Sequence, residues 1–287
     1  MKKFVLILTL LVLLTKYVGI YSQENDFYDK SVKKIWESEK VFLTPESLMF
    51  DKKNNVLYVS NINGNSAQKD GNGFISKLSL DGKIIKLKWI EGLNAPKGMG
   101  IYNNTLYVAD IDRLVVIDID KSKISDTITV ANAQFLNDIA IDKTGKVYVS
   151  DMRANKIYQY SEKKIKLWLD SDKLKKPNGL LIEGENLLIG CGNYVLTVNK
   201  KNKASNILIS ETGSIDGLAK FDKESYIISD WSGNVTLINK DKNIEHKKLI
   251  STEFINVNAA DFEFINDKKT IYIPTFLDNR VVAYKIE

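Results

Sequence analysis

From Val32 onward the chain is a succession of short runs in which apolar and polar positions alternate, or in which almost every position is apolar. A period of two is the signature of a strand with one buried face, and a short all-apolar run fits a strand buried on both. The runs recur in a fixed order. Six opening segments resemble one another: Pro45-Glu-Ser-Leu-Met-Phe, Pro96-Lys-Gly-Met-Gly-Ile, Leu136-Asn-Asp-Ile-Ala-Ile, Pro177-Asn-Gly-Leu-Leu-Ile, Ile215-Asp-Gly-Leu-Ala-Lys and Ala259-Ala-Asp-Phe-Glu-Phe. Each is followed by a second run such as Val56-Leu-Tyr-Val-Ser or Lys146-Val-Tyr-Val-Ser-Asp, then by a third such as Asn155-Lys-Ile-Tyr-Gln-Tyr. A fourth, such as Ile165-Lys-Leu-Trp-Leu, closes the unit.

The second residues of the opening segments are Glu46, Lys97, Asn137, Asn178, Asp216 and Ala260, spaced by 51, 40, 41, 38 and 44 residues. Four strands every ~40–45 residues make the blade of a β-propeller. The pattern therefore predicts an all-β, six-bladed propeller with four-stranded blades over residues 23–287. The long first interval holds an Asn-, Gly- and Ser-rich insertion, Asn61 to Asn72, between the second and third strands of blade one. The sixth unit runs out after its third strand, Arg280 to Ile286. Its outer strand is then expected from Val32-Lys-Lys-Ile-Trp-Glu, which would lock the last blade to the N-terminus and remove an open edge.

Residues 1–22 break the pattern. Met-Lys-Lys followed by the apolar run Phe4 to Leu14 reads as a secretory signal peptide, too short to span a bilayer. The mature protein is expected outside the cytoplasm, secreted or periplasmic, and free of the membrane once the signal is cleaved. Cys191 is the sole cysteine, so an intramolecular disulfide is excluded and the fold must rest on its core. The net charge of +5 includes Lys2, Lys3 and Lys16 of the signal, and only Arg113, Arg153 and Arg280 are arginines. Lysines scattered among acids describe a solvated surface rather than a nucleic-acid face. The expected partner is a small molecule, and the expected state is a monomer.

Inner strands of a propeller begin at one mouth of the central channel, so the repeated column forms a ring there. Glu46, Asn137, Asn178 and Asp216 are four oxygen donors. Two carboxylates in a narrow channel need compensation. Lys97 offers it to one of them; a divalent cation offers it to both and engages the amides too. Oxygen donors without His or Cys select a hard ion, and calcium tolerates ligands from separate blades better than magnesium does. The competing reading is that Asn178-Gly179, Asp216-Gly217 and Asn137-Asp138 are ordinary turns. Turns alone leave the convergence at equivalent repeat positions unexplained.

With Glu46, Asn137, Asn178 within Pro-Asn-Gly-Leu, and Asp216 within Asp-Gly-Leu-Ala, the chain resembles the senescence-marker-protein/gluconolactonase/luciferin-regenerating-enzyme group. Diisopropyl fluorophosphatase and paraoxonase look like more distant relatives. The resemblance implies one calcium or related divalent ion at the channel mouth, held by Glu46, Asn178 and Asp216, with Asn137 as ligand or substrate contact. It implies hydrolysis of a lactone or ester, with Asp216 as candidate base and Asp138 as a second. Lys97, Arg153, Trp231 and the Asn61–Asn72 loop would shape the substrate pocket. The chain departs from the group in two places. Lys97 occupies the blade-two column where a sugar-binding segment is expected, and the only histidine, His246, falls in an outer strand. A non-catalytic exported propeller, its metal structural and its loop face binding a ligand or protein, is the alternative; a strictosidine-synthase-like enzyme resting on Glu46 is a thinner one.

Overall fold

The computed structural model describes residues 27–287. The signal peptide expected over residues 1–22 lies outside them. Six separate four-stranded antiparallel sheets follow one another along the chain, each meandering from channel to rim. The first blade runs Pro45–Asp51, Val56–Asn61, Gly73–Ser79 and Ile84–Leu93, and the other inner strands start at Pro96, Leu136, Leu180, Leu218 and Glu263. The sixth blade takes its outermost strand from Val32–Glu37, paired from Val32 with Ile286 to Glu37 with Val282. The ring is closed by this strand, as the repeat count predicts, and the fold is the six-bladed propeller.

The burial of each strand follows from its place in the blade. Second strands lie between neighbouring blades, so Val56–Asn61, Val147–Asp151 and Ser225–Ser229 are buried at every position. The outermost strand Lys123–Thr129 is exposed almost throughout and is polar accordingly. Six apolar clusters fill the six interfaces between adjacent blades. Tyr58, Trp89, Leu106 and Val108, for example, join blades one and two, and Leu48, Leu57, Tyr272 and Val281 join blade one to blade six. Burial of these side chains is the main favourable term holding the ring together. The closing strand also grips the first blade. Trp36 Nε1 donates to the Leu80 carbonyl at 3.0 Å, and its ring covers Gly82, where a Cβ would meet it at 2.8 Å and φ is +88°.

The glycines after the column have a different purpose from turns. Gly98 and Gly179 are not in the left-handed region. A Cβ on Gly98 would lie 2.6 Å from the Asp138 Cα, and one on Gly179 would lie 2.6 Å from the Asp216 carbonyl. Close approach of adjacent inner strands requires them, and this keeps the channel narrow.

Candidate functional site

The column residues sit where the inner strand is irregular. In blade one Pro45 pairs with Asn61 and Ser47 with Ser60, so Glu46 is the extra residue. The register shifts likewise between Pro96 and Met99, around Lys97, and between Leu136 and Ile139, around Asn137. A bulge re-aims a side chain that a regular strand would send into the sheet. Serines of the second strands hold the residue that follows the column in blades one, three and five. Ser60 Oγ accepts the Ser47 N–H, Ser150 Oγ the Asp138 N–H, and Ser229 Oγ the Gly217 N–H, at 2.9–3.0 Å.

Residues ending the second strands secure the loop that leads in. Asn61 Oδ1 accepts the Leu43 N–H, and Asp110 accepts those of Asn94 and Ala95. Asp151 accepts those of Gln134 and Phe135. Each clamp lies two or three residues before a column side chain, so Asp110 and Asp151 position the ring rather than belong to it.

Glu46, Lys97, Asn137, Asn178 and Asp216 come together on one cavity of about 350 Å³. All five are buried, and Ala260 completes the column without a polar side chain. Asn178 Nδ2 donates to Asp216 Oδ1 at 2.6 Å. That bond leaves Asn178 Oδ1 without a hydrogen-bond partner, and Glu46 Oε2 has none either. Two buried acceptors left open beside two further oxygen donors suit a hard cation. Among the described residues no three His, Cys, Asp or Glu side chains gather into a metal cluster. The ring offers two carboxylates and two amides instead.

The electrostatics agree with an uncompensated site. Glu46 is held well above the usual carboxylate range, by burial first and then by the charge of Asp216, with Lys97 pulling the other way. Burial pushes Asp216 up to about 6, against the hydrogen bond from Asn178. Lys97 is drawn down to about 8 by burial, although Glu46 and Asp110 favour its charged form. Its ammonium donates to the carbonyls of Ala95 at 2.8 Å and Ser66 at 3.0 Å. It therefore ties the blade-one insertion over the cavity instead of pairing directly with a carboxylate.

The other expected residues separate. Trp231 lines the cavity, edge-on to Phe276 at 5.5 Å. Arg153 is at the exposed rim, its guanidinium 4.2 Å from the Phe135 ring. Lys97 approaches the same ring at 4.4 Å. Asp138 does not line the cavity. Its carboxylate turns down the channel and accepts the N–H groups of Ile139 and Leu180, both at 2.6 Å, bridging blades three and four. Burial raises it to about 7 despite those bonds. His246 lies far out, its Nε2 3.2 Å from the Ser210 carbonyl. Cys191 is buried, its thiol pushed up to about 11 by desolvation, and is inert packing. Of the walls, Ile62 and Ser66 come from the Asn61–Asn72 insertion expected at the pocket and Ile215 opens a repeat segment, whereas Phe135 and Met152 come from loops without a repeat pattern and the sequence had singled out neither.

No family model matches the sequence, and no curated protein sequence matches it. Solved structures do. The chain is similar in fold to propeller lyases. A catalytically inactive virginiamycin B lyase from Staphylococcus aureus, solved with quinupristin, superposes with a TM-score of 0.61 at 12% identity, over 89% of this chain and 99% of that one. A streptogramin B lyase gives 0.63 at 10% identity, over 89% and 97%. A chain of a nidogen/laminin complex gives 0.58 at 17% identity, over 71% and 79%. At these identities the likeness carries the propeller fold and not its chemistry.

Proposed function

We propose that this chain is an exported hydrolase of a lactone or ester that works with a bound divalent cation, calcium by preference, in the manner of the gluconolactonase group. The observation that carries the reading is the pair of buried, unpartnered acceptors, Glu46 Oε2 and Asn178 Oδ1, at a cavity they share with Asn137 and Asp216. Those four residues would hold the cation. When bound, it would supply polarisation of a carbonyl oxygen.

The chain's own groups supply the rest. Asp216, at about 6, is mostly ionised at neutral pH, and its bond from Asn178 fixes one oxygen while the other is left for a proton. Asp138 is the poorer base, because both its oxygens already accept backbone N–H groups. Lys97 places positive charge in the wall, and Phe135, Trp231 and Phe276 shield the site from water. Export rests on the basic start and apolar run of residues 1–14. The distant placement of His246 favours a second reading, a propeller whose cation is structural, since no imidazole base reaches the cavity. The opening of the ring onto a substrate-sized cavity favours catalysis.

The test is turnover of lactones and aryl esters by the chain from Gln23, which keeps the whole closed ring, after chelation and again with calcium restored. Activity lost with chelator, regained with calcium and absent in Asp216→Ala is expected. A calcium-dependent rise in melting temperature with no turnover would leave only the structural-cation reading.

A further inference from the structure

Among the described residues twelve large apolar side chains are exposed, and their distribution is uneven. Six of them, such as Leu167 and Ile207, lie on outermost strands, and Ile244 is in a turn at the other end of the channel. The remaining five, Leu43, Trp231, Phe254, Ile255 and Leu277, all belong to loops on the cavity face of blades five, six and one. They are far apart in sequence but share one surface. Asn258 Nδ2 donates to the Trp231 carbonyl at 2.8 Å, and the Thr252 N–H reaches the Gly233 carbonyl at 2.9 Å. The Thr44 N–H reaches Asn279 Oδ1 at 2.9 Å. Phe254 is 83% exposed and Leu277 62%, each within a short 3₁₀ turn, so they are projecting tips rather than walls of a groove.

We propose that this apolar crescent inserts into the interfacial region of a phospholipid bilayer and holds the cavity mouth against it. Two observations select lipid. Separate convex tips carrying Phe, Leu and Ile suit a fluid apolar phase, with Trp231 beside them at the cavity mouth for the interface level. An apolar core of five side chains is small beside the roughly 20–30 residues a side of a stable protein interface.

The cations beside the crescent are already paired. Lys40 and Arg280 both pair with Asp278, Arg280 also with Glu37, and Asn234 Nδ2 approaches Glu253 at 3.3 Å. Attachment therefore runs on apolar burial and not on anionic headgroups. This departs from the expectation of a mature chain free of membranes, and it stands whether or not the cavity is catalytic.

Flotation of the chain from Gln23 with phosphatidylcholine vesicles tests it. The double variant Phe254→Ser, Leu277→Ser changes mostly exposed tips, and Leu167→Ser, Ile207→Ser on the outer strands serves as control. The expected result is vesicle binding that changes less than about twofold between low and high salt, is unchanged in the control, and falls at least about tenfold in the crescent variant. Absence of binding, or equal binding by the crescent variant, overturns the proposal. A vesicle-free dimer in sedimentation velocity that the crescent variant abolishes would overturn it too, by assigning the surface to a second copy.

Discussion

Glu46→Gln separates the metal reading from every account in which the ring is mere packing. Glu46 is 5% exposed, its Oε2 has no partner, and its proton affinity is raised by burial and by Asp216. A carboxyl raised in the native state contributes its stability in full below its unfolded value near pH 4.5 and loses it as pH climbs through the native value. Near pH 4.5 the glutamine is thus close to neutral, because both side chains are uncharged. At pH 8 the wild-type protein must either hold a proton against solvent or bury a second negative charge, a penalty of about 1–3 kcal/mol that the amide escapes. At roughly 2–4 °C per kcal/mol for a chain of this size, the cation-free variant should melt about 2–12 °C above wild type at pH 8 and within about 1 °C of it at pH 4.5. Calcium should reverse the order. Wild type gains about 2.7 kcal/mol at a hundredfold excess over Kd, while the variant, one charged ligand short, gains less. Differential scanning calorimetry at both pH values, with chelator and with calcium, reads all four states. A variant equally destabilised at both pH values, with an undiminished calcium shift, would refute the reasoning.

Three further outcomes follow from the geometry. Asp151→Ala strips the acceptor from the N–H groups of Gln134, Phe135 and Ala154, and should cost about 3 kcal/mol, a fall of roughly 6–12 °C in thermal melting; a fall under about 2 °C would deny it a clamping role. Gly179→Ala puts a Cβ 2.6 Å from the Asp216 carbonyl, so it should lower stability by about 1–3 kcal/mol and weaken the calcium shift, whereas wild-type melting would show that the inner strands are not in close contact. Burial raises Glu263 to about 7 although the backbone N–H groups of Phe50 and Phe264 favour its charge. The native state then holds a proton that the unfolded chain releases near pH 4.5, so stability declines as pH rises from there toward 7. Glu263→Gln should make that decline shallower in denaturant titrations at pH 5 and pH 7, and identical slopes would exclude the contribution.

The architecture was legible because it is written six times. Alternating runs at a repeat near 43 residues give blade number, strand order and the N-terminal closing strand, and Val32–Glu37 pairs as the missing outer strand implies. The column of Glu46, Asn137, Asn178 and Asp216 was legible for the same reason, since equivalent repeat positions must meet at the axis. Side-chain direction within a repeat was not. Asn137 and Asp138 are neighbours, but the bulge sends one into the cavity and lets the other cap Leu180 in the next blade. Gly179 admits a turn reading because sequence does not reveal how closely two inner strands approach. Lys97 does favour the charge of Glu46, as the column implies, but only through space, and its hydrogen bonds to two carbonyls, one of them from an insertion with no repeat to place it, were not legible. The exposed crescent combines residues from four loops and has no linear signature.

The central claim, that this ring is a cation site, is tested most directly by titrating calcium into the chelator-stripped chain from Gln23 in a calorimeter. One site per chain, lost in Asp216→Ala and weakened in Glu46→Gln, is the predicted result. No saturable binding, or a site that survives in Asp216→Ala, would contradict it.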